Sequence, residues 1–306
     1  MLNALTGFVV VGVAILVGYI IGRTGLLGPH GRYVLSRLTF YVLSPFLLFV
    51  VLSQADVHTL FSALLPVSAI AAVVVIAVQG LLSRLVWRRS TAETVVAALS
   101  AGQVNSNNIG IPLSLYLLGS AAYPAPVILM QLVLFTPITL AILDAATSGT
   151  RSVGRIIGRT ASNPMVIGSF AGAIVSLVGW DLPEVVIAPA ELIANACVPV
   201  LLISYGMSLH GQRVLGAAGH RAEVIVASVL KLIAMPALAW AVATFLFGMS
   251  RHDVLVVVVL AALPTAQNVF NYAQRYEVGE AVSRDTILLT TLGCVPVLLG
   301  AVLLLR

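Results

Sequence analysis

The polar residues able to do chemistry in this chain gather at two places. Asn105, Asn107 and Asn108 surround Ser106 and run straight into Gly110 and Pro112, and near the other end Pro264 precedes Gln267, Asn268 and Asn271. Carboxamides donate and accept hydrogen bonds without carrying charge, so such clusters can hold a carboxylate with no proton or counter-ion buried alongside. A break in a helix adds to this. It frees backbone groups and exposes a helix N-terminus, whose orphan N–H groups and partial positive charge favour an anion. Pro112 is expected in the first turn of a resumed helix, where its missing N–H costs nothing. Pro264 is expected to end a helix just before it.

Both clusters lie inside apolar stretches, and the composition says what surrounds those stretches. Hydrophobic residues make up 60% of the 306 positions and charged residues only 9%, and the mean hydropathy is +1.08. That is too apolar for a water-soluble surface and implies an all-α integral membrane protein. Stretches of about 20 residues, the length that crosses a bilayer, fall at 5–22, 33–52, 62–84, 95–119, 124–146, 164–180, 189–209, 222–248, 253–276 and 284–305. Met1 to Phe8 carries no Lys or Arg, so the first of these ten spans is expected to remain uncleaved. The two amide clusters then sit mid-way along spans four and nine. Lipid offers such groups no partners, so they must line a cavity or be covered by protein.

The arginines report topology. Arg23, Arg32, Arg84, Arg88, Arg89, Arg151, Arg155, Arg159, Arg213, Arg221, Arg275 and Arg284 all follow odd-numbered spans, against Arg251 and Arg306 elsewhere outside the spans. This bias places the odd loops in the cytoplasm and both termini outside. The net charge of +5 is thus spread over loops and does not form a nucleic-acid surface. Ten spans with a cytoplasmic centre imply two inverted five-span repeats, residues 1–146 and 164–306, joined by a linker at 147–163. Pro45 to Pro112 is 67 residues and Pro199 to Pro264 is 65, a matched spacing across the two halves. Interrupted helices in corresponding places of two repeats point to the binding site of a secondary transporter. Because the halves are inverted, spans four and nine are expected to cross at their breaks. In the linker, Arg151, Arg155 and Arg159 recur on one helical face, which suits an interfacial helix on anionic lipid.

Other chemistry finds no support. Cys197 and Cys294 are isolated and read as small buried hydrophobes, and five scattered histidines give no metal-ligand spacing. No nucleotide loop is present, and no cofactor, metal or catalytic group is expected. Asp144, Glu191 and Glu277 lie near span ends, so no carboxylate is expected at mid-depth. Lys231 lies deeper, where a cation is expensive and needs backbone carbonyls or an acid. The isolated amides of Gln79, Gln103 and Asn195 read as links between helices.

Three segments carry a family resemblance. Asn105 with Gly110-Ile111-Pro112, Leu263-Pro264-Thr265-Ala266-Gln267-Asn268 running on to Tyr276, and Pro199 followed by Ser204-Tyr205-Gly206-Met207 resemble the auxin efflux carrier family. That family includes plant auxin exporters and bacterial carriers for malonate and related acids. The resemblance implies ten helices in inverted repeats, with spans one, two, six and seven as a scaffold that often dimerises. Spans three to five and eight to ten would form the moving transport domain, with Asn105, Pro112, Pro264 and Asn268 at its crossover and Ser44 and Gln131 contributing to the site. A bacterial inner-membrane carrier of small carboxylates is the expected function. A sodium- or proton-coupled symporter and a ligand-binding membrane sensor are the alternatives.

The orientation is directly testable. Tags at either terminus are expected to react with impermeant reagents added to intact cells, whereas a tag at Gly154 is expected to stay protected. Labelling at Gly154 alone would reverse the topology.

Overall fold

The computed structural model describes residues 2–54, 64–147, 162–211, 215 and 218–305. Among them all regular structure is helical, apart from one isolated antiparallel bridge between Val104 and Thr265. Helices cover every apolar stretch read from the sequence: α1 (Leu2–Thr24), α2 (Gly31–Ser53), α3 (Leu65–Leu85), α4a (Thr91–Gly102), α4b (106–118), α5 (Ala125–Thr147), α6 (Pro164–Val178), α7 (Glu184–Asn195 and Cys197–Leu209), α8 (Arg221–Leu246), α9a (Arg251–Ala262), α9b (Gln267–Tyr276) and α10 (Glu280–Leu305). Six described helices, α2, α3, α5, α7, α8 and α10, are long and apolar enough to cross a membrane. Their outward faces are apolar, with Leu81, Ile138, Leu192, Phe245 and Leu303 more than half exposed. Most of the linker, with Arg151, Arg155 and Arg159, lies outside the described residues, as does Arg213.

Proline leaves a regular mark on these helices. Pro45, Pro112, Pro137 and Pro236 each follow a five-residue π-helical turn: Thr39–Leu43, Ser106–Gly110, Gln131–Phe135 and Leu230–Ala234. The reason is steric. Proline cannot donate to the carbonyl four residues back and its ring collides with it, and in each case that carbonyl (Tyr41, Asn108, Val133, Leu232) lies within the wider turn. Thr136 Oγ1 donates to the Gln131 carbonyl at 2.8 Å, satisfying one acceptor of such a turn. Pro112 is therefore not in the first turn of the resumed helix. That helix restarts six residues earlier, at Ser106, and the π turn absorbs the missing donor. At Pro199 the helix is instead interrupted at Ala196.

The chain divides into two compact units. The first comprises Met1–Ser62, Asn107–Leu129 and Arg159–Gly211, and so holds α1, α2, α6 and α7 with most of α4b and the start of α5. In it α1 packs along α7 and α2 along α6. Glycine sets the closeness of both contacts, since a Cβ on Gly206 would meet the Ile15 carbonyl and one on Gly168 or Gly172 would meet the carbonyls of Pro45 or Phe49. Without a hydrophobic driving force between helices in lipid, such backbone contact is a main source of association. Ser44 and Cys197 hydrogen-bond at 3.6 Å, tying the segment around Pro45 to that around Pro199.

The second unit comprises Ala63–Ser106, Met130–Gly158 and Gln212–Arg306, and holds α3, α4a, the rest of α5, α8, α9a, α9b and α10. Its core includes Val96 and Leu99 of α4a, Leu143 of α5, and Val269 and Ala273 of α9b. Helix α9a is buried on all sides from Val254 to Ala262.

Gly172→Leu is expected to overpack the α2–α6 contact at a cost of about 1–3 kcal/mol or more. It should lower the thermal unfolding midpoint in detergent. Gly300→Ala, at a position where an added Cβ meets nothing within 4 Å, should leave that midpoint unchanged.

Candidate functional site

The two breaks meet inside the second unit. Helix α4a stops at Gly102 because Gln103 turns extended (φ −81°, ψ 135°), and α9a stops at Ala262 because Leu263, preceding a proline, does the same (φ −58°, ψ 149°). The extended segments then pair with each other. Asn105 N–H donates to the Pro264 carbonyl at 2.8 Å, and Ala266 N–H donates to the Gln103 carbonyl at 3.1 Å. Each broken helix thus supplies partners for the other, as buried backbone requires.

Side chains satisfy the groups this pairing leaves over. Gln131 acts like a third strand: its Oε1 accepts from Val104 N–H and its Nε2 donates to the Val104 carbonyl, both at 3.1 Å. Its Nε2 also reaches Ser106 Oγ at 3.4 Å. Opposite it, Thr265 N–H donates to Thr290 Oγ1 at 3.1 Å, while Thr265 Oγ1 donates to the Ser100 carbonyl at 2.6 Å. Thr290 completes the set by donating to the Thr286 carbonyl at 2.7 Å. One turn before Pro264, the Ala261 carbonyl accepts from Lys231 Nζ at 2.6 Å. Lys231 thereby finds the backbone carbonyl that its depth demands.

The residues singled out from sequence divide between the units. Asn105 and Ser106 are buried at the crossing. Gln267 and Asn268 open α9b just beyond it, Gln267 half-buried and Asn268 exposed, with Asn271 exposed on the same face one turn on. Helix α9b is held against α5 by two phenols. Tyr272 OH meets Thr136 Oγ1 at 2.9 Å, and Tyr276 OH donates to Asp144 at 2.6 Å. In the first unit, Asn107 Nδ2 donates to Asn108 Oδ1 at 3.1 Å, and both residues are half-buried. Gly110, Pro112 and Ser44 are buried in that unit.

Sequence reasoning missed several participants. Gln103, read as a helix link, stands in the crossing itself, 2% exposed, and its Nε2 has no hydrogen-bond partner among the described residues. Thr265 and Thr290 gave no signal, because threonine in a membrane helix is unremarkable until its partner is known. Glu223 was also unforeseen. It is 2% exposed, yet it accepts from Ser83 Oγ at 2.8 Å and pairs with Arg89 Nε at 3.0 Å. Gln79 joins this network through Ser83 at 3.4 Å, a bond within α3, so only Ser83 carries the link on to Glu223 of α8.

Apolar helices with outward hydrophobic faces and a buried polar crossing define a multi-pass membrane protein whose interior is organised around two broken helices. The chain belongs to the membrane transport protein family, the auxin efflux carrier-like group, whose sequence profile matches residues 4–153 and 150–302. It is 25% identical over 301 residues to a Rhizobium meliloti protein named "Putative malonate transporter", covering 95% of this chain and 92% of that one. It is also 26% identical over 269 residues to a Methanothermobacter thermautotrophicus protein named "Uncharacterized transporter", covering 83% and 82% of the two chains.

Thr290→Val is expected to strand the buried Thr265 N–H and to destabilise the protein by about 1–3 kcal/mol. Thermal unfolding in detergent should show this, with Thr290→Ser close to wild type.

Proposed function

We propose that this chain is a secondary transporter of small organic anions, carboxylates in particular, that works by alternating access across the bacterial inner membrane. The observation that carries this reading is the crossing in the second unit. There the backbone is paired, yet amides remain at the start of a resumed helix, where N–H groups and the positive helix pole favour an anion. Asn105, Gln103, Gln267 and Asn268 are the proposed carboxylate donors, with Asn271 extending them along the exposed face of α9b. Gln131 takes the role of holding the crossing in shape. The parts proposed for Ser44, Asn107 and Asn108 rest on the sequence and on the family. The relative named for malonate supports a small dicarboxylate as the first substrate to try.

In this reading the chain crosses the membrane ten times as two inverted repeats, 1–146 and 164–306, with both termini outside. The second unit carries the anion, and the first anchors a homodimer. Two features support the division of labour: every brace of the crossing lies in the second unit, and glycine-mediated backbone packing dominates the first. Neutral donors at the crossing leave the bound anion's charge to be driven by the membrane potential. One charge gains about 2.3 kcal/mol per 100 mV, enough for roughly a fifty-fold gradient, and an inside-negative potential drives a carboxylate outward.

Liposomes containing the purified protein should show malonate flux that follows an imposed potassium-diffusion potential and persists without sodium or a pH gradient. Flux indifferent to voltage but abolished by removing sodium would establish the symporter instead. Asn105→Ala and Asn268→Ala are each expected to weaken malonate binding by about 1–3 kcal/mol at near-normal protein levels. Normal affinity in both variants would move the site elsewhere.

A further inference from the structure

A broken helix presents both its poles to the same point. The N-terminus of α9b favours an anion, but the C-terminus of α9a, ending only a few residues earlier, is negative and opposes it. Left alone, the two would largely cancel where the carboxylate is proposed to bind. Lys231 lies at the second of these poles. It is 0% exposed, and its Nζ donates to the Ala261 carbonyl at 2.6 Å and contacts Met235 Sδ at 3.3 Å. Ala261 is in the last turn of α9a, one residue before the helix stops at Ala262.

No carboxylate neutralises this lysine among the described residues. The buried acids of the same unit are engaged elsewhere: Glu223 with Arg89 at 3.0 Å, and Asp285 with Arg284 at 2.9 Å. The titratable neighbour on the helix packed against it is Cys294 of α10. A cation buried in a membrane protein without an acid is costly and is a candidate for function. Here the α9a pole pays part of that cost, since cations are favoured at helix C-termini.

We propose that Lys231 is a fixed cation of the transport site: a positioning residue that cancels the negative pole of α9a, travels with the bound anion and offsets one unit of its charge. This deepens the carrier reading and rests on it. The consequence is specific. A loaded unit carrying malonate as its dianion has a net charge of minus one, not minus two. Net transport still moves the whole substrate charge, because the empty unit returns the positive charge of Lys231.

Malonate exchange in liposomes isolates the loaded step, since with saturating substrate on both sides only loaded carriers cross. For a barrier halfway across the field, 100 mV of either sign slows exchange about fourfold for one net charge and about twenty-fivefold for two. At neutral pH, wild type and Lys231→Arg are expected to show the smaller slowing and Lys231→Gln the larger. Equal slowing in all three would overturn the proposal and leave the carrier reading intact. Should Lys231→Gln fail to insert, the wild-type slope decides alone, since the larger slowing contradicts a travelling cation. Net flux in wild type that follows a pH gradient and moves one net charge per malonate instead of two would also overturn it, because the lysine would then be releasing its proton on return. If malonate binds without flux, the carrier reading fails, and weaker thermal stabilisation by malonate of Lys231→Gln than of Lys231→Arg supports the cation. A protein that neither binds nor moves malonate would overturn both.

Discussion

A helix can be broken in lipid only if the groups it frees find partners, and here two broken helices supply them to each other. The antiparallel pairing of Val104 with Thr265 is the constraint on which the rest of the second unit depends. It needs an extended residue in each segment, which the end of α4a at Gly102 and the Leu263-Pro264 step provide. It also needs side chains for the outward-facing backbone groups, which Gln131 and Thr290 provide. Each brace comes from a different helix, so α5, α8 and α10 are held in register by the same few bonds.

That economy explains how a polar point can exist without ionisable ligands. The backbone groups at the crossing are largely spent on each other, so what remains for a guest is a small set of amides and the poles of the interrupted helices. In the proposed reading, neutral donors would bind an anion without a buried counter-charge of their own, with Lys231 adjusting the field from one turn away. The acid–base network of Glu223, Arg89 and Ser83 is linked to α3 and α8 and uses its charges internally.

How much was legible beforehand follows from how local each signal is. The breaks were readable because a proline beside several amides is improbable inside an apolar run unless the helix is interrupted there. That the two breaks meet was an expectation of the sequence reading, but the atomic form of their pairing was not. The partners of Val104, Thr265 and Ala261 lie 25 to 30 residues away in sequence, and nothing in a threonine or a glutamine announces which carbonyl it will meet. Pro112 shows the limit in the other direction. Its type suggested a first-turn position, but a π turn allows proline further along a helix, and only the backbone reveals that choice. Gln103 was discounted because its neighbours looked ordinary, yet its position next to the break carries more information than its isolation.

The central claim is that the crossing in the second unit is where a carboxylate sits. The most direct measurement is the anomalous diffraction signal of a bromine-labelled dicarboxylate soaked into crystals of the protein. The account predicts a bromine peak beside the Val104–Thr265 pairing, with a carboxylate oxygen within hydrogen-bonding distance of Asn105 or Asn268. A peak confined to the first unit or to the lipid-facing surface, with the crossing unoccupied at saturating ligand, would contradict it.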